Sequence, residues 1–132
     1  MITEDYVSFE TAKLLKEKGF DCTCKVWYSE YTSQFGGEKY TGIEFDNHNR
    51  FNENYKFICY APTLQMAMKW LREVHNLYVN IWTDPKDFES NNFDIIFRAQ
   101  VYNGTSNYGT YEFSTYEEAC EAAIKYCLEN LI

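Results

Sequence analysis

Histidine is nearly missing from this 132-residue chain: only His48 and His75 occur. A Ser–His–Asp or Cys–His arrangement needs a positioned base. His48 stands in the polar run DNHNR, and His75 falls in the last turn of a helical pattern, where an imidazolium complements the helix dipole. Both read as structural or solvated residues. Positive charge is also scarce. Twelve Lys and Arg face twenty Asp and Glu, for a net charge of −8. Acids exceed bases ten to seven over 1–62 and ten to five over 63–132. No Lys/Arg stripe forms, so the phosphate-neutralising contribution that drives nucleic-acid affinity is lacking, and an anionic membrane surface is disfavoured for the same reason. The carboxylates are dispersed among lysines, a pattern of solubility more than of nucleic-acid mimicry.

Other motifs are missing too. There is no Walker A sequence and no G-x-G-x-x-G; FGGEK has neither the spacing nor a following helix. Cys22 and Cys24 put two thiols on one strand face, but no second C-x-C or H-x-H completes a metal set. Paired acids such as Glu117–Glu118 and Asp84/Asp87 look like surface carboxylates. No enzyme, metal or cofactor is expected from this inventory. The start MITEDYVSFE lacks the basic end and apolar run of a secretory leader, and no apolar run is long enough to span a bilayer. Five cysteines, an odd number, then fit a reducing cytoplasm in which free thiols act as small hydrophobes. The sequon NGT at Asn103 marks an exposed turn.

Aromatic residues are what the chain has in excess: 12 Tyr, 10 Phe and 3 Trp, 19% of the whole. Such side chains suit half-exposed antiparallel sheets, and could alternatively form a stacking platform for bases or sugars. Three helix signals stand among the strands. SFETAKLLKEKGF has Ser8 as N-cap and Gly19 as stop. APTLQMAMKWLREVHNL begins at Thr63 after Pro62 and runs to about His75. STYEEACEAAIKYCLENL places Ser114 and Glu117 at capping-box spacing, with acids near the positive end of the dipole. Strand-like segments are FDCTCKVWYS, KYTGIEFD, NYKFICYA, LYVNIWTD, FDIIFRAQVYN and YGTYEFS.

The order α-βββ-α-βββ-α predicts an α+β fold with antiparallel sheet or sheets and helices on one side. It reads as one domain over 1–132, a pseudo-duplication with repeats at about 8–62 and 63–113 and a closing helix at 114–131. On the second helix, Leu64, Ala67, Met68, Leu71 and Val74 share a face, and Met66 and Trp70 widen it. That breadth predicts packing on two sides, or a dimer. On the third helix, Ala119, Cys120, Ala123, Tyr126 and Cys127 are set against the sheet.

One stretch stands out for binding. The hairpin KVWYSEYTSQFGGEKYTG carries Trp27, Tyr28, Tyr31, Phe35 and Tyr40 around a glycine turn. Aromatics near a loop tip are more than a solvated loop requires, and exposed apolar patches mark partner sites. These five residues are the candidate partner site, for a protein partner; the bland alternative is that they cover a sheet edge.

Residues 8–77 share the element order of a double-stranded-RNA-binding domain. That family reads phosphates with lysines opening its last helix, where this chain has APTLQMAMK, so RNA binding is not expected. Three longer blocks, ITEDYVSFETAKLLKEKGFD, APTLQMAMKWLREVHNL and YEEACEAAIKYCLENLI, resemble a family of small uncharacterised proteins common in gut Bacteroidetes genomes and their phage-like mobile elements. The resemblance implies a bacterial or phage cytosolic setting and transfers no site residue. The expected function is a non-enzymatic accessory protein binding a macromolecular partner; the alternative is a binder of a small, nucleotide-like ligand.

Overall fold

A computed structural model describes residues 1–33, 36–45, 55–86 and 94–132. The elements are α1 (Phe9–Glu17), β1 (Val26–Thr32), β2 (Lys39–Phe45), β3 (Tyr55–Tyr60), α2 (Leu64–His75), β4 (Tyr78–Pro85), β5 (Ile95–Tyr102), β6 (Asn107–Phe113) and α3 (Tyr116–Asn130). The fold is α+β, with two separate antiparallel sheets ordered β2-β1-β3 and β4-β5-β6. The element order repeats, but the strand order does not. The first strand is central in one sheet and the second strand in the other. The chain divides into two compact units, residues 6–63 and residues 1–5 with 64–132.

In the unit 6–63, α1 is set by its ends. Ser8 Oγ accepts from the Thr11 amide at 3.2 Å, and Gly19 takes φ +95° just past the helix. The Phe20 amide then reaches back to the Leu15 carbonyl at 2.9 Å, a helix-ending turn that leaves Phe20 buried. This cap has a consequence for β1. The strand starts at Val26, not at Phe20 as the alternation FDCTCKVWYS predicts. Among the described residues, the β1–β2 ladder begins with Val26 opposite Phe45. Cys22 is exposed and Cys24 half-buried, whereas Cys59, Cys120 and Cys127 are buried thiols. Val7, Leu15 and Cys59 are fully buried in this unit, and Tyr28 joins them from β1. Its hydroxyl donates to the Val7 carbonyl at 2.7 Å and its ring meets Phe9 at 5.4 Å.

In the unit containing 64–132, β4, β5 and β6 form a meander. Register pairs Val79 with Val101 and Ile81 with Ala99, giving one apolar face that packs on α3, and α2 packs on α3 in turn. The third helix starts one residue later than predicted. Thr115, not Ser114, is the N-cap, accepting from the Glu118 amide at 3.1 Å. Ile124 and Leu128 are buried along with Ala119, Cys120, Ala123 and Cys127, because this helix is covered by α2 as well as by the sheet. Each such leucine or isoleucine contributes about 1.5–3 kcal/mol.

The broad apolar face predicted for α2 is narrower in the structure. Trp70 is buried (7% exposed), but Met66 and Val74 are exposed at 46% and 57%. Asn76 takes φ +55° immediately after the helix, and the Leu77 amide returns to the Leu71 carbonyl at 3.1 Å. Leu77 is thereby buried where the helix ends, and Val74 is left at its margin.

Candidate functional site

Side chains alternate along a strand, so register decides which of the predicted aromatics share a face. β1 pairs Tyr31 with Tyr40 on β2 and with Tyr55 on β3. The three rings form a row across the sheet: Tyr31 to Tyr40 at 6.5 Å and nearly parallel, Tyr31 to Tyr55 at 4.9 Å. Trp27 lies on the same face, opposite Tyr60 and Glu44. Tyr28 does not. It points to the opposite face, where its contacts with Val7 and Phe9 make it part of the packing against α1. Phe35 lies outside the described residues.

Three residues absent from the predicted set extend the row along β3: Tyr55, Phe57 and Tyr60. The register between β1 and β3 slips between Tyr28 and Ser29, so that Ile58 is an extra residue on β3. This bulge brings Phe57 and Tyr60 onto one face, with ring centroids 5.1 Å apart. Period-two reading of NYKFICYA links Tyr55 with Phe57 but sends Tyr60 to the other side. A single inserted residue leaves no sequence signal strong enough to correct that.

The platform reaches solvent at its β2 end. Tyr40 is 52% exposed, and Phe57 is also exposed at the β3 side. The Tyr40 hydroxyl donates to the Glu38 carboxylate, and this bond holds the Tyr40 phenol above its ordinary value. Carboxylates of Glu38 and Glu44 therefore stand at the margin of an aromatic surface, an arrangement suited to apolar and cationic groups, which stack on ring faces.

The other sheet carries a polar network on the face turned away from α3. Arg98 Nε lies 2.8 Å from Asp84 Oδ2, its terminal nitrogen lies 3.1 Å from Glu112 Oε1, and Trp82 Nε1 donates to the same Asp84 oxygen at 3.2 Å. Trp82 and Glu112 stand in register with Arg98 on the flanking strands and Asp84 stands two residues further along β4, so the arginine links all three strands. With its fork committed to two carboxylates, Arg98 is a cross-strand tie more than an anion site.

His75 packs edge-on against Trp70 at 4.6 Å, and His48 lies outside the described residues. No cluster of three metal-ligating side chains occurs among the described residues. No helix among them is long and apolar enough to cross a membrane. Fold and site together define a small α+β protein with an aromatic platform on one face of a three-stranded sheet. Comparison with protein-family models, curated proteins and solved structures finds no match to this chain.

Proposed function

We propose that this chain is a non-enzymatic interaction protein that binds a protein partner through the aromatic face of β2-β1-β3. The observation that carries this reading is the row Tyr40–Tyr31–Tyr55, half-exposed at Tyr40 and lying on the face opposite α1. Tyrosine and tryptophan are enriched among the few residues that carry most of the binding energy at protein interfaces, because each offers a large rigid surface with little rotamer entropy to lose. The net charge of −8 and the carboxylates at the margin favour a partner presenting apolar and basic groups over any nucleic acid. The blocks that resemble mobile-element proteins support reading it as an accessory factor that acts on a host or phage component in a bacterial cytoplasm.

The test is capture from bacterial lysate with immobilised wild-type protein beside a Tyr31→Ala/Tyr40→Ala variant whose circular dichroism is unchanged. A protein retained by the first and lost from the second supports the reading. Equal retention by both, or no specific protein retained, rejects it.

A further inference from the structure

The unit containing 64–132 holds a cavity of about 110 Å³ between α3 and the β5–β6 hairpin. We infer that it is a binding site for a neutral, single-ring aromatic molecule. The site is independent of the platform on β2-β1-β3, and stands whether or not that platform binds a partner.

The cavity follows from two features of the sequence. First, small residues oppose large ones. Ala99 on β5 and Ala122 and Ala123 on α3 stand where larger side chains would close the gap, while Tyr108 and Tyr126, 6.1 Å apart, span it. Second, a bulge concentrates aromatics on one face of β6. Pairing runs Val101 with Tyr108 and Ala99 with Tyr111, so Gly109 and Thr110 together oppose Gln100. Gly109 supplies φ +84° for this bulge. A Cβ there would meet nothing nearer than the Ala99 carbonyl at 3.7 Å, so the glycine is demanded by its backbone angle and not by crowding. In an unbroken strand, residues three apart face opposite sides. Here Tyr108, Tyr111 and Phe113 all line the cavity.

The chemistry of the lining selects the ligand. Its walls are aromatic rings, alanine methyl groups, Val101 and Gly109, with no charged side chain among the described lining residues. Arg98 lies on the other face of β5, held by Asp84 and Glu112. A nucleotide phosphate would have no cation to meet, and a nucleoside would exceed the volume. An apolar cavity of about 150 Å³ is known to stay dry and to admit benzene; at about 110 Å³ this one is smaller, so a single six-membered ring, stacking against Tyr108 or Tyr126 with one edge at the rim, is the upper limit of what it takes. Tyr111, 66% exposed, stands at the rim and marks the route in.

Titration of the full chain with p-cresol, followed by amide chemical shifts, tests the site. The expected result is saturable binding, with shifts centred on β5, β6 and α3. Ala122→Leu fills the cavity from a half-buried position and is expected to weaken p-cresol binding by about tenfold or more, the scale of losing one ring's contacts. Tyr111→Ala, at an exposed site that leaves the core intact, is expected to weaken it less. The proposal is overturned by non-saturable shifts, by shifts centred elsewhere, by unchanged affinity in both variants, or by adenosine monophosphate competing for the same residues.

Discussion

Phe57 and Tyr60 hold their rings 5.1 Å apart at an angle of 68°, although they stand three positions apart, where a regular strand would turn them to opposite faces. The bulge at Ile58 is the cause, and Gly109 does the same for Tyr108 and Tyr111 in the other sheet. Edge-to-face aromatic pairs stabilise beyond their buried area. A double-mutant cycle of Phe57→Ala and Tyr60→Ala in urea is expected to give a coupling of about 0.5–1 kcal/mol, the lower part of the usual range because Phe57 is exposed. Strict additivity would show that the rings do not interact.

Thiol accessibility separates the five cysteines. In the native protein, Cys22 is expected to react first with a colorimetric disulfide reagent. Cys24 should follow more slowly, since burial and then the neighbouring Cys22 thiol push its pKa up. Cys59, Cys120 and Cys127 are expected to react only after denaturant is added. Rapid labelling of all five without denaturant would contradict the packing of α3.

The buried Cys127 also predicts a pH dependence. Desolvation raises its thiol from the ordinary 9.0 to about 12. The folded chain therefore keeps this proton at a pH where the unfolded chain has lost it. The associated stability is complete below pH 9.0 and is lost as pH rises towards about 12. Between about pH 8 and about pH 10.5, urea denaturation should show wild type losing more stability than Cys127→Ala. Parallel curves for the two would remove the thiol from the linkage.

The second helix distinguishes two flanking residues that look alike in sequence. Trp70→Ala is expected to cost about 3–5 kcal/mol by opening a core cavity, whereas Met66→Gln should stay within about 0.5 kcal/mol. The reverse ranking, read from chemical denaturation, would place Met66 in the core.

The cap of α3 allows a one-residue test. Thr115→Ala is expected to lower stability by about 1 kcal/mol, since it strips an acceptor from the Glu118 amide, and Ser114→Ala by about half of that or less. If serine proves the costlier loss, the helix starts where the capping-box spacing suggested.

The element order, the three helices and the α+β class were legible because local chemistry sets them: Ser8, Gly19 and the alternating strand segments act on their own neighbourhoods. Trp27, Tyr31 and Tyr40 were likewise visible as an aromatic cluster. Tyr28, a neighbour in the same strand, could be assigned to the opposite face only once Val7 and Phe9 were seen to meet it.

The amino-acid pattern by itself thus determined which segments become helix or strand. Tertiary structure alone decided the order β2-β1-β3 against β4-β5-β6, and hence which strand lies between two others. It also decided the bulges at Ile58 and Gly109, each produced by a mismatch of one residue between paired strands. Such mismatches belong to the pairing and not to either strand alone. They are what gather Tyr55, Phe57 and Tyr60 into one face and Tyr108, Tyr111 and Phe113 around one cavity.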